Sequence, residues 1–222
     1  MQQMKEHFRS GRRTVAIDVG AYKGEFFRPY LRANLLDHLI LFEPHAENAA
    51  ALYKCLNDPR ISVEVCAVAD KSGRADFYFG EDAAIGSLLL PDGPIPAASQ
   101  KKNVPIVSID EYADRHGLTG TVNYLKVDVQ GADLLVLKGA ETMLSQSRPI
   151  LIVELIFTQL YQGQADAVTI ISWLAERDYR LVAFFDEHFS RQGWLAWTDA
   201  CFVPVSRLTE YQLPFSMRVY QS

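Results

Sequence analysis

The chain has 222 residues, of which 49% are hydrophobic and 22% are charged, and its formal net charge at pH 7 is -5. A chain of this length buries about 70% of the surface that its unfolded form exposes, so it needs no disulfide or metal to hold a core. Its composition excludes collagen, coiled-coil and disordered chains, and its slight acidic excess gives no net attraction to nucleic acid or to an anionic membrane. We therefore expect a globular protein without a nucleic-acid or membrane partner.

The cysteines, the histidines and the N-terminus indicate neither a metal site nor export. Cys55, Cys66 and Cys201 are odd in number and form no Cys-x-x-Cys pair, and the five histidines show no paired spacing. Residues 1–13 are polar and basic and lack the apolar stretch of a secretory signal, and no window reaches the ~18 apolar residues of a membrane span. We expect a cytoplasmic protein with a polar extension at 1–13 and a single domain over 14–222.

Short apolar, β-branched runs alternate with amphipathic segments, which is typical of parallel strands joined by crossover helices. The strands predicted in this pattern are residues 14–19, 39–42, 61–68, 122–129 and 150–155, and the predicted helices are residues 25–36, 45–56, 132–145 and 165–177. Residues 180–185 and 201–205 predict two final strands that pair antiparallel. An aromatic, polar loop at 186–199, with Trp194 and Trp197, is expected to join them. The sequence therefore predicts an α/β fold.

Residues 71–108 interrupt this alternation as an insertion between the third and fourth strands. Residues 74–79 alternate as an exposed strand does, and residues 91–105 are rich in proline. A flexible insertion at the mouth of a parallel sheet can be a lid or substrate collar, or a plain surface excursion, and the sequence favours neither.

The first predicted strand ends in the segment DVGAYKG, residues 18–24, which leads directly into a helix. Glycines at the carboxyl end of a parallel strand let the backbone approach a ligand closely, so this turn predicts a binding site. The spacing is Gly-x-x-x-Gly rather than the Gly-x-Gly-x-x-Gly of dinucleotide folds, and Asp18 would repel a pyrophosphate. An acid here favours a cationic group, such as the amino group of S-adenosylmethionine.

Two more segments at the same predicted edge of the sheet fit a nucleoside. Glu43 ends the second strand in LILFEP, and a carboxylate there matches the vicinal diol of a ribose. The segment CAVAD, residues 66–70, ends the third strand in small residues that leave room for an adenine ring. A solvated strand-end glutamate and ordinary core packing are the alternatives at these two places.

The fourth strand carries charges in a run that should otherwise be buried. Lys126 and Asp128 share one side of the strand, about 7 Å apart, because side chains alternate along it. They either form an interior ion pair, or Asp128 faces the crevice at the strand end. Glu154, in the fifth strand, adds an acid roughly 5 to 10 Å away. Asp128 and Glu154 are the candidate catalytic residues, because either could hold a substrate hydroxyl or accept its proton.

Five segments follow one another in the order IDVGAYKGEF, LFEP, CAVAD, VPIVSIDEY and YLKVDVQGADLLVLKGAE. This combination, between about residue 14 and residue 155, resembles the S-adenosylmethionine-dependent methyltransferases of the FkbM type. The resemblance implies a Rossmann-like class I methyltransferase sheet of seven strands, mostly parallel with the last antiparallel, and helices on both faces. It also implies O-methylation of a hydroxyl on a sugar or other small natural product, with S-adenosyl-L-methionine as the cofactor.

The resemblance also implies a role for each matching position. The glycine loop with Asp18, Gly20, Tyr22 and Gly24 would bind the cofactor, and Glu43 would bind its ribose. Ala67 and Val68 would lie beside its adenine, and Asp128 of the fourth strand would bind the cofactor near the reacting groups. Tyr22 stands where the family often has a small polar residue, and Gln130 and Asp133 stand where it commonly has Glu. Since Gln130 cannot act as a base, Asp128 or Glu154 would accept the hydroxyl proton.

Two other functions stay open at this point. A nicotinamide-dependent oxidoreductase would use a similar sheet, although the glycine spacing and Asp18 disfavour it. A non-catalytic nucleoside-binding domain would keep the cofactor loop without turnover. Specificity for the acceptor is expected to reside in residues 80–105 and 186–199.

Overall fold

The computed structural model describes residues 13–82, 84–92 and 100–210 and places their strands in two sheets. The strands of the large sheet are β1 Val15–Val19, β2 His38–Phe42, β3 Ile61–Glu64, β8 Val122–Val127, β9 Ile150–Ile156, β10 Tyr179–Phe189 and β11 Leu195–Pro204. The strands of the small sheet are β4 Ala67–Val68, β5 Gly73–Phe79, β6 Gly86–Ser87 and β7 Gln100–Val107. Nearly all of the predicted extension at 1–13, and residues 93–99 of the predicted insertion, lie outside the described residues.

The helices lie on both faces of the large sheet. They are α1 Arg28–Arg32, α2 Ala46–Leu56, α3 Ile109–Arg115, α4 Asp133–Lys138, α5 Glu141–Gln146 and α6 Ala167–Ala175, followed by a 3-10 helix over Val205–Glu210. None of the helices in the described ranges is long and apolar enough to cross a membrane.

The large sheet has the strand order β10-β11-β9-β8-β1-β2-β3. The pairs from β3 across to β9 are parallel, and β11 is antiparallel to both of its neighbours. This confirms the mostly parallel, seven-stranded sheet whose last strand is antiparallel. The carboxyl ends of the parallel strands therefore meet at one edge, where α/β sheets bind their ligands.

Alternating side chains of the parallel strands fill a core on each face. Ile17 and Val127 pack into the core that α3 to α6 cover, whereas Ala16 and Tyr124 pack into the core that α1 and α2 cover. Every residue of β1 and β9 is buried. Burial on both faces explains why these strands are nearly continuous apolar runs in the sequence.

The predicted third strand, residues 61–68, is wrong as a single strand. The main sheet ends at Glu64, and the chain bends before Ala67 and Val68 pair in parallel with β7 of the small sheet. Val65 is exposed between the two pieces. The run contains no proline or glycine, so nothing in its pattern indicates the bend.

Two helix predictions also differ from the structure. The segment 132–145 forms α4 and α5 with a break at Gly139, where an added Cβ would lie 2.1 Å from the carbonyl oxygen of Ala69. The break therefore follows from a close approach of two backbones. The segment 25–36 contracts to α1, and the left-handed φ of 53° at Asn34 ends the helix on its C-terminal side.

The predicted loop at 186–199 is mostly strand. β10 continues to Phe189 and β11 begins at Leu195, so Trp197 lies in a strand and only Trp194 lies in the connection. The sequence pattern also does not predict α3. This helix begins after Ser108, whose Oγ accepts a hydrogen bond from the backbone N–H of Glu111 (3.3 Å).

Candidate active site

A cavity of about 200 Å³ lies at the carboxyl ends of β1, β2 and β8. Its floor and walls come from the strand ends and from residues 66–68, and the small sheet covers it with the apolar side chains of Phe77, Phe79, Ile85 and Leu88. Of the predicted site residues, those that line it are Gly20, Tyr22, Glu43, Ala67, Val68 and Asp128. The insertion thus contributes the roof of the cavity.

The glycine turn after β1 is bonded to the ends of both neighbouring strands. The backbone N–H of Gly20 donates to the carbonyl of Phe42 (3.0 Å), and the backbone N–H of Asp128 donates to the carbonyl of Val19 (3.1 Å). Gly20 has a φ of 83°, which only glycine adopts easily, and no Cβ fits between it and the backbone of Asp128. The turn therefore brings bare backbone to the cavity wall.

Gly24, the second glycine of the motif, lies outside the residues that line the cavity. A Cβ there would lie 3.0 Å from Leu52 and 3.1 Å from Leu56, both on α2. Gly24 thus allows α2 to pack closely on the turn, which is a structural contribution to the site.

Glu43 is buried at the end of β2 and lines the cavity. Its Oε2 accepts a hydrogen bond from the backbone N–H of Tyr22 (2.9 Å), and its Oε1 accepts one from the backbone N–H of His45 (2.8 Å). Burial raises the pKa of Glu43, and these backbone hydrogen bonds partly oppose that rise. The side chain of Asn48 also donates a hydrogen bond to this carboxylate, which lowers the pKa of Glu43 further.

Asp18 lies just beneath the turn and is only 1% exposed. It pairs across the sheet with Lys126, and its Oδ1 has no hydrogen-bond partner within the described part of the chain. Burial raises the pKa of Asp18 to about 6; the charge of Lys126 lowers it, and the charge of Asp128 raises it further. A buried carboxylate with an unsatisfied oxygen is costly, which is typical of a functional position.

The side of the cavity near β4 is largely apolar. Cys66, Ala67 and Val68 line it, as do His45 and Phe79, whose rings lie 5.3 Å apart, edge to face. Burial raises the pKa of the Cys66 thiol to about 12, so it is neutral. A flat, uncharged ring suits these surroundings.

Lys126 and Asp128 form the ion pair that the sequence analysis raised as one alternative. The Nζ atom of Lys126 lies 2.8 Å from Oδ2 of Asp128, and Lys126 is buried whereas the side chain of Asp128 is 30% exposed. Burial lowers the pKa of Lys126, but the charges of Asp128 and Asp18 outweigh it and raise that pKa. Asp128 also lines the cavity. The ion pair with Lys126 and the position at the crevice, which the sequence left as alternatives, therefore both occur.

Glu154 is buried on β9, behind the cavity wall. Burial first, and then the charges of Asp128 and Asp133, raise its pKa well above the usual range. Gln130 separates Glu154 from Asp128: the Nε2 atom of Gln130 lies 3.3 Å from Oδ1 of Asp128 and 3.5 Å from each carboxylate oxygen of Glu154. The side-chain amide of Gln130 therefore lies between Asp128 and Glu154, the two predicted catalytic acids.

Sequence reasoning missed three residues at this edge. Asp199 faces Glu154 from β11, and burial raises its pKa to about 6. The hydroxyl of Tyr161 donates to Oε1 of Gln130 (3.0 Å), and the hydroxyl of Ser87 donates to the carbonyl of Gln130 (2.8 Å). Asp199 lies in the segment that was predicted as a loop, and no local pattern marks Tyr161 or Ser87.

No three His, Cys, Asp or Glu side chains in the described ranges could together hold a metal ion.

The strand order of the large sheet is that of the class I methyltransferase fold. A family model described as Methyltransferase FkbM domain matches residues 18–181, and the chain therefore belongs to the FkbM methyltransferase family. No curated protein sequence matches the chain.

Two solved structures show the same fold. The methyltransferase FkbM of Methylobacillus flagellatus KT is 18% identical with a TM-score of 0.58; the match covers 86% of this chain and 43% of that protein. An rRNA methylase of Streptococcus thermophilus is 8% identical with a TM-score of 0.50, and the match covers 92% of this chain and 95% of that one. The chain thus spans less than half the length of its FkbM relative.

Proposed function

We propose that the protein is an S-adenosylmethionine-dependent O-methyltransferase that acts on a hydroxyl of a sugar or other small natural product. The observation that carries this proposal is the combination, in one cavity, of a bare glycine turn, the Glu43 carboxylate and an apolar slot. Family membership supports methyl transfer. The cofactor and the acceptor are inferred from the chemistry of the lining residues.

The lining residues fit S-adenosylmethionine better than a dinucleotide. They include Glu43 and Asp128 but no lysine or arginine among the described positions, so nothing there would neutralise a pyrophosphate. Asp18 lies beneath the glycine turn and does not line the cavity, but its negative charge and its unpartnered Oδ1 suit the cationic amino group of the methionine part. Glu43 would hold the ribose hydroxyls, and Ala67 and Val68 would lie beside the adenine. A nicotinamide-dependent oxidoreductase is therefore the weaker candidate.

When bound, the cofactor supplies an electrophilic methyl group on a sulfonium. The protein has to align the acceptor oxygen and exclude water, because charge disappears as the methyl group moves. Phe77, Phe79, Ile85 and Leu88 line the cavity with apolar side chains and would help to exclude water. The glycine turn and Glu43 would fix the cofactor on the side away from β9.

Asp128 is the first choice to receive the hydroxyl proton. It lies at the end of β8, lines the cavity and is partly exposed, so an acceptor hydroxyl can reach its carboxylate. Because an alcohol is weakly acidic, the proton would move to the carboxylate at or after the transition state. Glu154 is the second choice, because it is buried behind Gln130 and does not line the cavity.

Two experiments test this function. Calorimetric titration of the purified chain with S-adenosylmethionine and with NAD separates a methyltransferase from an oxidoreductase. A methyl-labelled donor, incubated with a panel of hydroxylated acceptors, separates an enzyme from a non-catalytic binding domain. Binding of S-adenosylmethionine with transfer to a hydroxyl supports the proposal, and binding of NAD alone refutes it.

A further inference from the structure

Gln130 contacts both candidate carboxylates and lines the cavity between them. It follows β8 with a φ of 58°, in the left-handed region that residues other than glycine seldom adopt. A side chain held in such a backbone conformation at the edge of a cavity is typical of a functional position. The proton transfer proposed for Asp128 gives Gln130 no role.

The side-chain amide of Gln130 is oriented from two directions. Its NH2 group faces Asp128 and Glu154, and its Oε1 accepts the hydrogen bond from the buried hydroxyl of Tyr161. With the amide reversed, Oε1 would face Oδ1 of Asp128, which is ionised in its pair with Lys126, and would repel it. The observed orientation pairs a donor with Asp128 and an acceptor with the hydroxyl of Tyr161.

The backbone around Gln130 is also fixed. Its carbonyl accepts the hydrogen bond from Ser87, which lies on β6 of the small sheet. The carboxylate of Asp133 accepts hydrogen bonds from the backbone N–H groups of Val129 (3.2 Å) and Gly131 (3.1 Å). The turn that carries Gln130 is therefore bonded on both sides.

A carboxylate has a defined plane only when both of its oxygens are held. Lys126 holds Oδ2 of Asp128, and Gln130 holds Oδ1. We propose that Gln130 is a positioning residue, whose amide, oriented by Tyr161, fixes the plane of the Asp128 carboxylate toward the acceptor hydroxyl. This proposal rests on the role of Asp128 in the proposed function.

The other charged and titratable groups around these two acids come from four elements. They are Asp18 on β1, Lys126 on β8, Asp133 on α4 and Asp199 on β11. None of them is altered in the variants below, so the changes in the carboxyl resonances report the amide and its hydroxyl partner.

The test uses the full chain with the side-chain carboxyl carbons of Asp and Glu labelled with 13C. The resonances of Asp128 and Glu154 are assigned with D128N and E154Q and followed by NMR as a function of pH. The variants are Q130E, Q130A, Y161F and the double variant Q130A/Y161F. Q162E is the matched control, because it adds the same charge at an exposed position near Tyr161.

Q130E and Q130A should both shift the carboxyl resonance of Asp128, because each removes the amide that donates to its Oδ1. Q162E should leave that resonance in place. Y161F should shift the Asp128 resonance in the wild-type background but not in the Q130A background, since Tyr161 acts through Gln130.

The proposal is overturned if Q162E shifts the Asp128 resonance as far as Q130E does, or if Y161F acts equally in both backgrounds. Y161F keeps the ring of a buried residue, so it decides the question even where Q130E does not fold. Failure of the wild-type chain to bind S-adenosylmethionine would instead overturn the proposed function and leave the NMR result interpretable.

Discussion

A Cβ added to Gly20 would lie 1.9 Å from the main-chain carbonyl oxygen of Asp128. This distance joins the glycine turn after β1 to the strand that carries the candidate proton acceptor. The cavity wall and the end of β8 are therefore built against one another, with no space for a side chain between them.

We predict that Gly20→Ala destabilises the protein by at least about 3 kcal/mol, because it adds a backbone clash to the strain of a left-handed residue. Gly120→Ala is the control, since Gly120 has a similar φ of 78° and nothing within 4 Å of its Cβ position. It should cost only about 1 kcal/mol. Urea denaturation measures both, and equal losses would show that the close approach to Asp128 does not matter.

Asp18→Asn tests how the buried carboxylate of Asp18 makes the free energy of unfolding depend on pH. Burial raises the folded-state pKa of Asp18 to about 6, above its ordinary value of 3.8. The folded chain therefore holds this proton more tightly than the unfolded chain does, and stability falls as the pH rises from about 4 to about 6. Asn removes that fall, so the difference in the free energy of unfolding between pH 5 and pH 8 should shrink by about 1 kcal/mol.

The control for this pH effect is Asp58→Asn. Hydrogen bonds from Arg60 lower the pKa of Asp58 to about 2, so its contribution to stability is lost only at more acidic pH. The difference between pH 5 and pH 8 should therefore stay as in the wild type. An unchanged difference in Asp18→Asn would contradict the assigned state of Asp18.

Glu43→Gln should weaken the binding of S-adenosylmethionine by about tenfold or more. The two carboxylate oxygens of Glu43 accept backbone hydrogen bonds from Tyr22 and His45, and an amide nitrogen cannot accept one of them. The loss of charge also weakens hydrogen bonds to the ribose hydroxyls. Calorimetry measures the affinity, with Glu47→Gln on the exposed face of α2 as the control.

Asp128→Asn should lower kcat for methyl transfer by about 100-fold, as expected for the loss of a proton acceptor. Glu154→Gln should lower it less, because Glu154 does not line the cavity. The labelled-donor assay compares the two variants under the same conditions. Near wild-type turnover in Asp128→Asn, together with a large loss in Glu154→Gln, would reverse the order of the two acids.

The sequence predicted the parts of the fold that follow from simple periodicity. β1, β2, β8 and β9 are apolar runs buried on both faces, and their ends carry Asp18, Glu43, Asp128 and Glu154, which made the edge of the sheet recognisable. The antiparallel pairing of the last two strands was also correct.

The remaining features depend on tertiary contacts. The bend after Glu64 follows from pairing with β7, and the break at Gly139 follows from the passage of Ala69. Tyr161 and Ser87 meet Gln130 from distant parts of the chain, so no local pattern could indicate them. The sequence indicates of Gln130 only that it cannot act as a base.

The most direct test of the central claim is calorimetric titration of the purified wild-type chain with S-adenosylmethionine, with NAD as the parallel ligand. We expect S-adenosylmethionine to bind with one site per chain and NAD to give no binding heat. Binding of NAD with no binding of S-adenosylmethionine would contradict the assignment of this cavity to the methyl donor.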